Sequence, residues 1–211
     1  PRHAERTGAL LDSLDLRDVA VVGQDWGGPI VFDWVGRRPE RVSQLVILNT
    51  FCHRPPEEVP LPLLLKACQK PILGEILVKY LHIFVRLFLF KGGIMHRDRL
   101  TPNVRRAYLA PHPTPASRTG VLAFPREIPA GPEGPVSDFL DDIHERLMVF
   151  KDRPVMIAWA KKDLAIPRAV KELFRQDFPH AKLLDLPDAG HFLQEDAHER
   201  IVPALLEFLG E

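Results

Sequence analysis

Residues 19 to 36 of this 211-residue chain constrain its fold more than any other stretch. Val19 to Val22 are apolar residues without alternation, which predicts a fully buried strand. Gly-Gln-Asp-Trp-Gly-Gly (residues 23 to 28) follows, and a helical pattern begins at Pro29. Small residues two positions before and after Asp25 are typical of a tight strand-to-helix turn with a strained tip residue. The pattern predicts that Asp25 projects beside the N-terminus of the helix, either as a functional group or simply as a helix cap.

The charge balance and the cysteine content exclude several classes of protein. Acidic and basic residues number 28 each, so we expect no nucleic-acid-binding surface. Cys52 and Cys68 are too few for a disulfide framework, which favours a reduced, cytoplasmic setting. No signal peptide opens the sequence, and a start at Pro1 rather than Met leads us to expect a fragment or a processed chain.

The two ends of the sequence carry a βα rhythm. A helix over residues 3 to 15 precedes the first strand, and a second buried strand, Leu45 to Leu48, follows the helix over residues 29 to 36. Strand, helix and strand within about 30 residues predict a βαβ unit with parallel strands. The rhythm returns near the C-terminus as strand 155–159, helix 167–178, strand 182–186 and helix 199–209.

The middle of the chain has a different character, with clustered prolines and no strand-like run. Ile72 to Phe90 is strongly apolar, and its polar residues Glu75, Lys79, His82 and Arg86 share one helical stripe. Four ionisable groups argue against a membrane span, so we expect a lid helix there and another helix over 138–150. The predicted organisation is therefore core over 1–54, helical cap over 55–150 and core over 151–211.

Three residues with catalytic side chains follow the carboxyl ends of predicted parallel strands. These residues are Asp25, Asp163 and His191, and that edge of an open α/β sheet is where sites are built. Taken singly, Asp163 could be a surface acid, and Gly190-His191 could be an ordinary loop dipeptide. Their chain order, nucleophile, acid and histidine, is the order used by α/β-hydrolases.

With Leu48-Asn49-Thr50 and Gly190-His191-Phe192, these residues resemble the α/β-hydrolase superfamily. The closest resemblance is to the haloalkane dehalogenase and epoxide hydrolase branch, in which the nucleophile is an Asp followed by Trp. It implies an α/β fold with a parallel sheet and an inserted helical cap, no cofactor, and a small hydrophobic organic substrate with water. It also implies that Asp25 is the nucleophile, His191 the base and Asp163 its partner, with Trp26 supplying an oxyanion N–H.

The leaving group distinguishes the two enzyme classes. In dehalogenases the Trp after the nucleophile donates to halide, and Trp26 matches that residue. Epoxide hydrolases need two cap tyrosines, and this chain has only Tyr80 and Tyr108, of which Tyr108 could equally be a core residue. Phe124-Pro125-Arg126 resembles the dehalogenase cap segment. We therefore expect cleavage of carbon–halogen bonds through an aspartyl ester, giving alcohol and halide, with epoxide hydrolysis as the alternative.

Further residues are assigned by the same resemblance. Asn49, Phe124, Pro125 and Phe192 are candidates for the substrate pocket. Asn49 also stands where one dehalogenase subgroup keeps its catalytic acid, which leaves that role to Asp163 here. No ligand spacing with Cys or acids is seen for His53, His96, His112 and His144, and we expect no metal.

The sequence departs from the family pattern before the elbow. Relatives place several strands and a His-Gly loop there, whereas only 24 residues precede Asp25, so the N-terminal strands and one oxyanion donor are expected to be missing. The predicted cap has no Trp for a second halide donor, and strand 19–22 would become an exposed edge. A truncated, non-catalytic ligand-binding relative is thus a third hypothesis, and substrate size and oligomeric state stay open.

Overall fold

A parallel four-stranded sheet forms the centre of the computed structural model, which describes residues 1–55, 57, 61–129, 131–134 and 136–210. The strands are β1 (Val19–Asp25), β2 (Val42–Thr50), β3 (Val155–Ala160) and β4 (Lys182–Leu186), and they lie in the order β1-β2-β3-β4. All three neighbouring pairs are parallel. The predicted α/β architecture and all four predicted strands are confirmed.

The helices of the described chain fall into three groups along the sequence. The first group is α1 (Arg2–Ser13) and α2 (Gly27–Arg37), on either side of β1. Between β2 and β3 lie α3 (Leu63–Gln69), α4 (Pro71–Gly74), α5 (Pro102–Leu109), α6 (Thr119–Glu127) and α7 (Ser137–Leu147). After β3 come α8 (Arg168–Asp177), α9 (Leu193–Asp196) and α10 (His198–Leu209).

The two central strands are buried on both sheet faces, which explains their continuous apolar sequences. On one face, Leu45 and Ile157 pack in a cluster with Phe32 of α2, Ile143 of α7 and Phe174 of α8. The opposite face packs against α9 and α10 through a second cluster, which includes Val46, Met156, Leu193 and Ile201. This layering fixes the carboxyl ends of the strands, where the predicted functional residues lie.

Strand β1 lies at the edge of the sheet, with β2 as its neighbour. Its side chains alternate between half-buried and exposed, and Val22 is 45% exposed. The prediction of a fully buried strand over residues 19 to 22 is therefore wrong, because only the face that carries Val19 and Val21 packs against the core. The expectation that this strand forms an exposed apolar edge is confirmed.

The segment between β2 and β3 is helical and carries no strand among its described residues. The predicted continuous helix over 72–90 is wrong, because two π-helical segments, Glu75–Tyr80 and Val85–Gly93, flank a break. His82 lies in that break with a φ of 53°, a left-handed conformation that interrupts any right-handed helix. His82 is also buried, unlike Glu75 and Lys79, which form an ion pair of 2.9 Å.

We call described residues 61–150 the helical insertion. The boundaries at 54/55 and 150/151 stay predictions, and parts of the predicted cap (residues 56, 58–60, 130 and 135) lie outside the described residues. Both cysteines are buried and free. None of the described helices combines the length and the apolarity that a bilayer crossing requires.

Candidate active site

Asp25 is the last residue of β1 and has a φ of 48°, the strained conformation expected at the tip of a strand-to-helix elbow. A Cβ at Gly23 would lie 2.8 Å from the Cα of Gly28, so that position must be glycine for the helix to approach the strand. Helix α2 begins at Gly27, two residues before the predicted Pro29. Gly27 has open space around it, and Gly28 is the second glycine that packing requires.

Two polar residues at the end of β2 hold the elbow and the loop that carries Asp163 in place. Thr50 donates from Oγ1 to the backbone carbonyl of Asp25 at 2.6 Å, and Gly28 packs against the same hydroxyl. Asn49, at a φ of 28°, donates from Nδ2 to Oδ2 of Asp163 at 2.8 Å and accepts the backbone N–H of Ala160 at 2.6 Å. These bonds connect β1, β2 and the loop after β3 at one edge of the sheet.

The side chain of Asp163 is almost completely buried, and its two carboxylate oxygens accept four hydrogen bonds. Oδ1 accepts the backbone N–H groups of Ala165 at 2.7 Å and Ile166 at 3.1 Å. Oδ2 accepts from Asn49 and lies 2.9 Å from Nδ1 of His191. Because a carboxylate only accepts, Nδ1 of His191 carries a proton, and neutral His191 therefore presents the lone pair of Nε2.

Nε2 of His191 points toward Asp25, at 3.7 Å from Oδ1. Burial lowers the pKa of His191, but the hydrogen bond and charge of Asp163, with a contribution from Asp25, outweigh it and raise that pKa above its ordinary value. Burial raises the pKa of Asp25, against the opposing effects of His191 and the backbone N–H of Trp26. The three predicted catalytic side chains thus lie together, with the imidazole between the two carboxylates.

A cavity of about 420 Å³ lies above Asp25 and His191. Asp25 exposes 37% of its side chain, and it does so as part of the cavity wall. Among the described residues that line the cavity, Asp25 and His191 are the only ionisable ones. The rest of the wall is mainly apolar and comes largely from the helical insertion: Leu65, Phe84, Val85, Phe88, Leu89, Val121, Phe124, Pro125 and Ile128.

The structure brings most of the predicted pocket residues to this cavity. Trp26, Phe124, Pro125 and Phe192 all line it, and the ring of Trp26 lies 5.7 Å from that of Phe124. Asn49 does not: it is fully buried behind Asp163, so its assignment to the substrate pocket is wrong. A short polar side chain in a left-handed conformation at a strand end is better explained as a support for the neighbouring loop.

The two tyrosines considered for epoxide chemistry lie elsewhere. Tyr108 donates its hydroxyl to Oε1 of Glu195 at 2.7 Å and packs beside the ring of Phe192. Tyr80 is 67% exposed. Neither tyrosine lines the described cavity, and Tyr108 is a packing residue of the insertion.

Several residues that support the site were missed by sequence reasoning. Gln24 donates from Nε2 to the backbone carbonyl of His191 at 3.0 Å. The buried carboxylate of Asp196 accepts the backbone N–H of Gly190 at 2.7 Å and those of Met95 and His96 at 3.0 and 2.8 Å. Asp196 therefore ties the histidine loop to the helical insertion. Because Met95 and His96 lie about 100 residues away in the sequence, no local pattern identifies this tie.

Comparisons with known proteins agree with this geometry. A family model described as alpha/beta hydrolase fold matches residues 2–198. The chain is 33% identical over 204 residues to a cis-3-alkyl-4-alkyloxetan-2-one decarboxylase of Shewanella oneidensis, covering 96% of this chain and 64% of that protein. It is 31% identical to a haloalkane dehalogenase of Mesorhizobium japonicum, covering 99% of this chain and 68% of that protein. The chain thus spans about two thirds of the length of these curated relatives.

Among solved structures, the haloalkane dehalogenase of Bradyrhizobium elkani superposes with a TM-score of 0.86 at 27% identity. The superposition covers 98% of this chain and 72% of that one. The overall arrangement of the chain therefore occurs in a solved haloalkane dehalogenase.

Proposed function

The chain belongs to the alpha/beta hydrolase fold family and is similar to haloalkane dehalogenases, and from this premise we propose that Asp25 displaces an anionic leaving group from a saturated carbon. The observation that carries the proposal is the position of His191, with Nδ1 at 2.9 Å from Asp163 and Nε2 directed at Asp25 from 3.7 Å. A base 3 to 4 Å from the nucleophile, inside an apolar cavity, suits a covalent intermediate that water must later cleave.

In the first step, a carboxylate oxygen of Asp25 attacks the carbon that bears the halogen. A carbon–oxygen bond forms, the carbon–halogen bond breaks, and halide leaves with the electron pair. The product is an alkyl ester on Asp25. Burial and the apolar cavity favour this step, since an incompletely solvated carboxylate is a stronger nucleophile than one in bulk water. Trp26 lines the cavity beside the nucleophile, where its indole N–H is the candidate halide donor.

In the second step, water between His191 and the ester gives a proton to Nε2 while its oxygen attacks the ester carbonyl. The tetrahedral intermediate collapses, and the alcohol leaves with the proton from His191. Asp25 then releases the second proton of the water to solvent, which restores its carboxylate. Asp163 holds the imidazole in the required tautomer and stabilises its positive charge. The backbone N–H of Trp26 is the described candidate for stabilising the oxyanion.

The cavity wall supports leaving groups that are stable as anions. An epoxide opens to an alkoxide, which needs a proton donor, and the described wall offers no tyrosine, lysine or arginine for that purpose. Halides and carboxylates need no such donor. Epoxide hydrolysis is therefore less well supported by the cavity than the other candidate reactions.

A second candidate reaction is the decarboxylation of a dialkyl β-lactone, favoured by the name of the decarboxylase relative and by the same leaving-group argument. Attack of Asp25 on C4 of an oxetan-2-one would break the C4–O bond and release the ring oxygen as a carboxylate. Loss of carbon dioxide would then move the C2–C3 electron pair into a C3=C4 double bond and expel Asp25. The products would be an alkene, carbon dioxide and unchanged enzyme.

The test is a covalent trap. The His191→Phe variant is incubated briefly with 1-bromobutane, digested and analysed by mass spectrometry. We expect one butyl group on the peptide that contains Asp25 and one equivalent of bromide per chain. The matched control is Asp25→Asn combined with His191→Phe, which should show neither.

Product analysis of the unaltered protein then separates the candidates. Sustained bromide and alcohol release supports the dehalogenase, whereas alkene and carbon dioxide from a cis-dialkyl oxetan-2-one support the decarboxylase. Thermal protection by either ligand without any ester on Asp25 would contradict both and would favour the non-catalytic hypothesis.

A further inference from the structure

A second cluster of titratable side chains lies apart from the cavity wall. His53 follows β2 by three residues, His144 belongs to α7, and Asp177 is the last residue of α8. Nε2 of His53 lies 2.6 Å from Oδ2 of Asp177, and Nε2 of His144 lies 3.1 Å from the same oxygen. The three ligand atoms are all within 4.8 Å of one another. Three separate segments thus direct two imidazole nitrogens at one carboxylate oxygen.

The surroundings hold the three groups in place while leaving one side open. His53 and Asp177 expose 9% and 16% of their side chains, whereas His144 exposes 36% and marks the route from solvent. The ring of His53 lies edge-on to Phe174 at 4.8 Å and 4.4 Å from the ring of His144. The orientation of His53 is therefore set by packing before any ligand arrives.

Among the described residues, the carboxylate of Asp177 has no Lys or Arg as an ion-pair partner. Burial raises the pKa of Asp177, but the hydrogen bonds and charges of His53 and His144 outweigh it and lower that pKa below its ordinary value. Within the described part of the chain, Asp177 makes ion pairs only with these two histidines. A largely buried carboxylate flanked by two imidazoles and no Lys or Arg is a suitable environment for a cation.

We propose that His53, His144 and Asp177 bind a divalent transition-metal ion, with Zn²⁺ as the best match. Two imidazole nitrogens and one carboxylate oxygen are ligands that Zn²⁺ accepts, and three protein ligands leave one tetrahedral position for water. Bonds of about 2.0 to 2.1 Å separate tetrahedral ligand atoms by roughly 3.3 Å. The distances from Oδ2 of Asp177 to Nε2 of His53 and of His144 are 2.6 and 3.1 Å. Each distance would therefore have to lengthen by less than about 1 Å to admit the ion.

The second ring nitrogen of His53, Nδ1, has a neighbour that suits a metal-binding histidine. Its Nδ1 lies 3.8 Å from the buried thiol of Cys52. On metal binding, each imidazole gives up its Nε2 proton or moves the hydrogen to Nδ1. In His53 the Nδ1–H would then face the sulfur, an outer contact of the kind that fixes the tautomer of metal-ligating histidines.

A metal ion at this position would also stabilise the fold. His53 lies on the segment that leaves the sheet for the helical insertion, and His144 lies on the helix that returns from it. Asp177 belongs to a helix that packs on the sheet. An ion at this point joins both ends of the insertion to the core, so its binding should raise the thermal midpoint of the whole chain.

Calorimetric titration of the metal-free chain with zinc chloride tests the proposal, with magnesium chloride as the hard-cation control. We expect one Zn²⁺ per chain at a micromolar dissociation constant, a higher thermal midpoint, and no binding of Mg²⁺. Titration with Co²⁺ should produce the visible absorption of a nitrogen–oxygen site. The His144→Gln and Asp177→Asn variants should each weaken zinc binding by about a hundredfold.

Two matched controls separate this site from other zinc-binding groups. His198→Gln removes an exposed histidine, and His191→Phe removes the imidazole of the other histidine–carboxylate cluster. Both variants should bind zinc as the unaltered chain does. Absence of binding at micromolar zinc overturns the proposal. So does zinc affinity that survives in the folded His144→Gln variant or disappears in His191→Phe.

Discussion

The floor and the roof of the cavity are held together in different ways. The floor, at the carboxyl ends of β1 to β3, is a network of short polar bonds in which Thr50, Asn49 and Asp163 each have defined partners. The roof consists of short helices and π-helical segments that touch mainly through apolar side chains. Some of its apolar residues face outward, such as Leu63 at 87% and Ile72 at 78% exposure.

We infer from this difference that the floor determines the chemistry and the roof determines which substrates bind. A nucleophile and a base need positions fixed to a fraction of an ångström, and hydrogen bonds to buried backbone supply that accuracy. A pocket for an alkyl group needs only a complementary apolar shape, which packing alone provides and small changes alter. We therefore expect substitutions in the floor to change rate and stability strongly, and substitutions in the roof to change mainly which substrates bind.

The strongest test of this comparison is at the elbow. In Gly28→Ala the new Cβ would overlap Oγ1 of Thr50 and lie 2.8 Å from its Cβ, in a place where Thr50 is fully buried. We expect a loss of about 1–3 kcal/mol in the free energy of unfolding and a fall in turnover of roughly 100-fold or more, because the elbow that carries Asp25 must move. Urea denaturation and halide release measure the two effects.

Gly27→Ala is the matched control for that experiment. Its Cβ would have open space around it, and the position begins α2, where Ala is favoured over Gly. Stability should rise by roughly 0.5–1 kcal/mol. Because Gly27 also lines the cavity, KM for the substrate should change while kcat stays nearly unchanged. Equal losses in both variants would show that the elbow tolerates no side chain for reasons other than packing against Thr50.

A smaller effect on turnover is expected for a substitution of Asn49, which lies behind Asp163. Asn49→Ala removes the bond to Asp163 and leaves the backbone N–H of Ala160 unpaired in a buried place. We expect a loss of about 1–3 kcal/mol in stability and a fall of roughly 10-fold to 100-fold in ester hydrolysis. Ester formation on Asp25 should change much less, since Asn49 acts only through Asp163. Rapid-mixing measurements of the bromide burst and of steady-state turnover resolve the two steps.

The sequence predicted the floor far better than the roof, and the reason is physical. A continuous apolar run such as Val155–Trp159 predicts a central strand, because a strand buried on both faces needs apolar side chains at every position. At the break, His82 is buried in a left-handed conformation, and the hydropathy of the surrounding apolar segment contains no sign of it. The cluster around Asp177 was missed for a related reason, since its histidines lie 124 and 33 residues away in the sequence.

The charge network of the floor predicts a pH effect. The pKa of His191 is raised above its ordinary value of 6.5, so the protonated form persists to higher pH and the base is lost earlier as the medium is acidified. Ester hydrolysis should therefore fall about tenfold per pH unit once His191 is protonated, and in the ester, where Asp25 is uncharged, Asp163 is the acid that still raises the pKa of His191. Ester formation does not need the base, and its own acid limb belongs to the carboxyl of Asp25, whose pKa is raised by burial.

Replacement of Asp163 identifies the cause of this shift. Asp163→Asn removes the charge that raises the pKa of His191, so the remaining activity should show its acid limb at lower pH. If the acid limb of the pH profile stays at the same pH in this variant, the limb belongs to a group other than His191.

The smallest effect on rate is expected in the roof. Phe124 lies on α6, lines the cavity and packs 5.7 Å from the ring of Trp26. In Phe124→Ala the enlarged cavity should accept longer bromoalkanes, and kcat/KM for 1-bromobutane should fall by about tenfold, mainly through KM. Stability should fall less than in a fully buried site, because the cavity already borders one face of this ring. If kcat instead collapsed for every chain length while ester formation stopped, the roof would be positioning the nucleophile, and the separation of chemistry from selectivity would not hold.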